Sequence, residues 1–151
     1  MVYHRIVRQK LTQNFEKLNR GDYPSIVKQF SVSPHHQVAG NSALGGERHT
    51  REGVGQWYER LFTIFPNIQF NVKDITIQGL PWNTAILVHF DVSATLQNGQ
   101  PYTNSIEQKI MLKWGKIVFM SINEDTQKLA NALIIQAQNG ISSASAQPIT
   151  T

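Results

Sequence analysis

The spacing of apolar residues changes once along this chain, and that change fixes its class. Up to Phe65 the apolar residues recur at steps of three and four, and from Ile68 onward they alternate. A chain that runs through its helices before its strands does not build repeated strand-helix-strand units. It reads as α+β, with a curved antiparallel sheet wrapped in a cone around three N-terminal helices and closed by a short C-terminal helix.

Val7, Leu11, Asn14, Phe15 and Leu18 form one stripe of a helix over about residues 4–19. Asn19-Arg20-Gly21-Asp22 ends it and caps a second, short helix from Tyr23-Pro24 that turns Ile26, Val27 and Phe30 inward. Val54, Trp57, Tyr58, Leu61, Phe62 and Phe65 mark a third helix, with Thr50 as N-cap and Pro66 as stop. Four strands are expected over 70–77, 84–96, 102–114 and 117–123, where β-branched and aromatic residues alternate with polar ones. The Asn98-Gly99 pair and the short Trp114-Gly115-Lys116 link make the last three an antiparallel meander. A short edge strand is expected over 37–40, and a last helix from Thr126 to Ala137 with Gly140 past its end. Residues 1–138 thus read as one domain, and 139–151, rich in Ser, Ala, Gln and Thr, as a mobile tail.

Composition narrows the partners. No run approaches the roughly 18 apolar residues of a spanning helix, and Met1-Val2-Tyr3-His4-Arg5 opens no apolar leader, so a cytoplasmic protein without a membrane partner is expected. Cysteine is absent, which removes disulfides and thiolate chemistry. Fourteen Lys and Arg against ten Asp and Glu leave a net charge of +4, and Arg5, Arg8 and Lys10 stand on a solvated helix face. That is too little for a nucleic-acid groove. His35 and His36 are adjacent on an extended segment and point apart, so no metal site is expected, and no glycine-rich loop suits a dinucleotide or phosphate. No cofactor is expected.

Several stretches together resemble the nuclear transport factor two-like superfamily, and within it the SnoaL-like group related to polyketide cyclases, ketosteroid isomerase and limonene epoxide hydrolase. They are Leu18-Asn19-Arg20-Gly21-Asp22-Tyr23, Leu44-Gly45-Gly46-Glu47-Arg48, Trp57-Tyr58-Glu59-Arg60-Leu61-Phe62, Gly79-Leu80-Pro81-Trp82-Asn83-Thr84, Leu112-Lys113-Trp114-Gly115-Lys116 and Glu124-Asp125-Thr126. The resemblance covers about residues 5–135. It implies a homodimer formed through the outer sheet face and one apolar pocket per subunit. The same cone hosts isomerases, cyclases, hydrolases and non-catalytic binders, so it does not imply one reaction.

Candidate site residues are polar groups on otherwise apolar faces. Asn14 interrupts the first helical stripe, and Gln108 shares a strand face with Ile106, Ile110 and Leu112. The resemblance implies Asp125 as acid or base, whereas the sequence around it reads more readily as the N-cap of the last helix. Asn123 would share the face of Asp125. The places of the ketosteroid isomerase tyrosine and carboxylate are taken by Asn14 and Val38, which argues against that mechanism. His36 is either a pocket acid-base group or a solvated strand-end histidine. Trp57, Phe62 and Phe90 either line the pocket or fill it. Two readings follow: acid-base catalysis of the isomerase, cyclase or hydrolase type on a small apolar, oxygen-bearing ligand, or a non-catalytic ligand-binding or accessory module.

Overall fold

The computed structural model describes residues 1–151. Helix α1 (Val2–Asn19) presents Val7, Leu11, Asn14, Phe15 and Leu18 to the interior, the stripe its spacing predicts. It is followed by the single turn α2 (Pro24–Val27) and, after two strands, by α3 (Arg51–Ile64), whose first free N–H groups include that of Gly53 bonded to the Thr50 hydroxyl at 3.0 Å. Four long strands follow, β3 (Gln69–Leu80), β4 (Asn83–Thr95), β5 (Pro101–Lys113) and β6 (Lys116–Asn123), and then α4 (Thr126–Gln138). The inward set on β4 is Ile86, Val88, Phe90 and Val92, as alternation requires. These side chains join α1 and α3 in one core of 33 buried apolar residues.

Two strands of the first half differ from expectation. β1 (Phe30–Val38) has nine residues instead of a short edge piece, and β2 (Gly46–Arg48) adds the true edge. The sheet order is β2-β1-β6-β5-β4-β3, and β1 runs parallel to β6 while every other neighbour is antiparallel. The sheet is therefore mixed, not wholly antiparallel. The apolar residues of β1 do alternate, as Phe30, Val32, Pro34 and Val38, but a proline cannot donate to a ladder and so reads against a strand, Val32 is exposed, and the pairing with β6 is irregular between Phe30 and His35.

The segment 139–151, expected to be a mobile tail, is bonded along its length instead. A 3₁₀ turn (Ser142–Ser145) buries Ala144. The Gln147 carbonyl accepts from Arg60 at 2.7 Å and the Ile149 carbonyl from Arg48 at 2.7 Å, while Thr151 meets the backbone N–H of His49. These bonds lay the end of the chain over the loop between β1 and β2. That loop tolerates no side chain at Gly45, where a Cβ would collide with the Gly40 carbonyl.

Candidate functional site

Between α1, α3 and the concave sheet face lies a cavity of about 80 Å³. Of its 23 lining residues 20 are hydrophobic; the other three are Asn14, Gln108 and Glu124. The volume lies well under the roughly 300–1,000 Å³ of pockets for drug-sized ligands, so anything beyond a very small molecule must displace side chains.

The three polar groups are not equivalent. Asn14 and Gln29 exchange both amide bonds, Nδ2 to Oε1 and Nε2 to Oδ1, each at 2.9 Å. Asn14 is thereby satisfied within the protein, like most buried amides. Gln108 donates to the Met120 sulfur at 3.3 Å, a weak acceptor that a ligand oxygen would outcompete. The carboxyl of Glu124 stands in apolar surroundings, and burial alone lifts its pKa from 4.5 to about 7. Glu124 also borders a shallow surface depression shared with His89, Asp91 and Glu107, so it connects the cavity to the outside.

Glu124 is held by its neighbours on the strand. The side chain of Asn104 donates to the Asp125 carbonyl at 3.0 Å and accepts from the Asp125 backbone N–H at 3.3 Å, clamping the end of β6 to β5. The same amide donates to the Tyr102 hydroxyl at 3.0 Å. Burial pushes the Tyr102 hydroxyl up, with the nearby Glu124 and Asp125 charges adding to the effect, so its own proton stays available to an acceptor in the cavity.

The sequence candidates divide around this cavity. Asn14, Trp57, Phe90 and Gln108 line it. Phe62 does not; it stacks on Tyr23 at 5.6 Å and tilts against Phe70 at 6.4 Å, outside the lining. Asp125 is exposed and accepts from the backbone N–H groups of Gln127 and Lys128 at 3.0 and 3.1 Å, so the capping alternative is the one observed. Asn123 is exposed opposite Glu107, on the outer face. One bulge explains both. Met111 pairs with Phe119 and Leu112 with Ile117, leaving Val118 extra, so the inward set passes from Ile117 to Met120, Ile122 and Glu124. A single extra residue moves every later side chain to the other face.

His36 is fully buried, but in a second compartment behind Trp57. Its Nδ1 accepts from Nε of the equally buried Arg48 at 3.0 Å, and burial, with Arg48 and His35 adding charge repulsion, lowers its pKa to about 3. The ring is therefore neutral, with the proton on Nε2, which has no hydrogen-bond partner and lies among the rings of Phe30, Trp57 and Tyr58. Arg48 also donates to the carbonyls of Gly45, Gly46 and Ile149. Burial lowers its pKa to about 10, leaving it charged at neutral pH.

No protein-family model matches the sequence, and no curated protein does. Solved structures do. An NTF2-like protein of unknown function from Burkholderia pseudomallei superposes with a TM-score of 0.67 at 17% identity, covering 83% of this chain and 95% of that one. PrhC from Penicillium brasilianum gives 0.70 at 13% identity, covering 87% and 88%. This chain has the NTF2-like fold. TerC, crystallised with polyporic acid, shares it with a TM-score of 0.65 at 15% identity, over 82% of this chain and 95% of that one. Within the NTF2-like cone of this protein, Glu124 is the one acidic residue that lines the cavity.

Proposed function

We propose that the cone takes a small apolar ligand carrying a carbonyl or hydroxyl oxygen and moves a proton on it, with Glu124 as acid or base. The observation that carries this reading is a carboxyl set in a cavity lined by 20 hydrophobic residues, its pKa lifted to about 7. At that value both forms are populated near neutral pH, which suits a group that must take a proton and return it. The Tyr102 hydroxyl and the Gln108 amide are the donors placed to hold a ligand oxygen, and Asn104 positions Glu124 through the Asp125 backbone. Abstraction of a proton next to a carbonyl, with Tyr102 donating to the oxygen as it gains charge, is the step these groups support best. That TerC, of the same fold, was co-crystallised with polyporic acid is in keeping with this reading.

The narrow cavity favours a second reading, a binder without turnover, in which Glu124 only orients the ligand. The two separate in one experiment. A panel of small cyclic ketones and enones is incubated with the protein in D2O and followed by NMR for exchange of the hydrogens next to the carbonyl. Exchange that disappears in Glu124→Gln supports catalysis; ligand shifts without exchange support binding alone.

A homodimer through the outer sheet face belongs to the same reading, supported by the half-buried Leu87, Met111 and Phe119 on that face. Light scattering of the eluting protein tests it. No helix is long and apolar enough to cross a membrane.

A further inference from the structure

The antiparallel pairing of β1 with β2 gathers three metal-ligating side chains that are scattered in sequence. Pairing of His36 with Arg48 and of Gln37 with Glu47 places His35 across from His49, with Glu47 on the diagonal. His36 and Arg48 point inward, so alternation sends His35, Glu47 and His49 together to the outer face. Their donor atoms all lie within 4.8 Å of one another. His35 Nε2 is 2.9 Å from Glu47 Oε1, and the two imidazole rings stack with centroids 4.8 Å apart.

We propose that His35, Glu47 and His49 form a binding site for a divalent first-row metal ion of the zinc type, on the opposite face of the sheet from the cone. Two imidazoles and one carboxylate are the donor set of open zinc sites, with water completing the tetrahedron. Calcium and magnesium prefer oxygen-only cages and are disfavoured here. Metal-ligand bonds of roughly 2.0–2.2 Å need donors some 3.3 Å apart, a distance within reach of side-chain rotation alone. The backbone needs no change, because the paired strands fix the Cα positions of His35 and Glu47 and His49 follows directly on the last residue of β2. The edge of Phe119 against His35, at 5.3 Å between centroids, limits that ring's rotamers. The backbone N–H of His49 is tied to Thr151. A plain surface pair of His35 and Glu47 explains their contact but not the second imidazole stacked beside it.

The site is independent of the cone chemistry, and its test does not involve activity. Full-length protein stripped with EDTA is titrated with zinc chloride by calorimetry, and cobalt chloride is added separately to read the visible bands of four-coordinate cobalt. One equivalent at micromolar affinity is expected, with the cobalt bands. Either His49→Ala or His35→Ala should weaken binding about tenfold or more and remove the bands, while Glu124→Gln should leave both unchanged. The substituted side chains lie on the surface, and a circular dichroism spectrum identical to wild type confirms folding. Calcium in place of zinc should give no heat. Absence of saturable zinc binding would overturn the site, and so would equal affinity in wild type and both histidine variants.

Discussion

The cone and the compartment behind Trp57 each bury an ionisable group, and they treat it in opposite ways. Arg48 spends its donors on His36, Gly45, Gly46 and Ile149, so the cation joins β1, the following loop and the chain end. For Glu124 burial is the one cause of the shift. A buried charge with a protein acceptor on each of its three nitrogens is architecture. A half-buried carboxyl with no bond to the protein and a raised pKa is costly to the fold, and such a cost is common where chemistry is done.

The contrast breaks first at Arg48. Replacing it with Met removes the donor from His36 and three carbonyls, and should cost about 3 to 5 kcal/mol in urea unfolding. A loss under one kilocalorie would mean that the compartment is not what ties the chain end down.

The second effect is on pH dependence, where the two groups have opposite signs. Folding raises the Glu124 pKa from 4.5 to about 7, so its contribution is complete below pH 4.5 and is lost as pH rises through 7, by at most about 3 kcal/mol. Folding lowers the His36 pKa from 6.5 to about 3, so its contribution is present above pH 6.5 and is lost as pH falls toward 3. Glu124→Gln should remove the alkaline loss and leave the acid one; His36→Gln should do the reverse. Urea unfolding of the three proteins from pH 4 to 8 measures both limbs.

The smallest effect sharpens the choice between neighbouring acids. Asp125→Ala should cost about 1 kcal/mol through the lost cap of α4, and Asp125→Asn only a few tenths. Neither should change hydrogen exchange on the ketone panel, which Glu124→Gln abolishes. Loss of exchange in Asp125→Asn would return the catalytic role to Asp125.

The cone was legible in the sequence because periodicity governs it: the α1 stripe, the aromatic face of α3 and the inward set of β4 are all where spacing places them. Gln108 and Asn14 were found as polar interruptions of those patterns. Glu124 was not, since the bulge at Val118 carries no glycine or other local mark and shifts the inward set by one, so that alternation counted from Ile117 arrives at Asp125. The compartment behind Trp57 was illegible for another reason. His36, Arg48 and Ile149 meet only through a three-residue strand and a chain end without periodicity, and no local rule brings them together. The His35, Glu47 and His49 cluster depends on that same short pairing.

The most direct test is a ¹³C NMR titration of the glutamate side-chain carboxyls, with Glu124 assigned from the Glu124→Gln spectrum. A midpoint close to 7 is expected, moving when a ketone occupies the cone. A midpoint at the ordinary 4.5, unmoved by any ligand, would show a solvated carboxyl and contradict the acid-base reading of the cone.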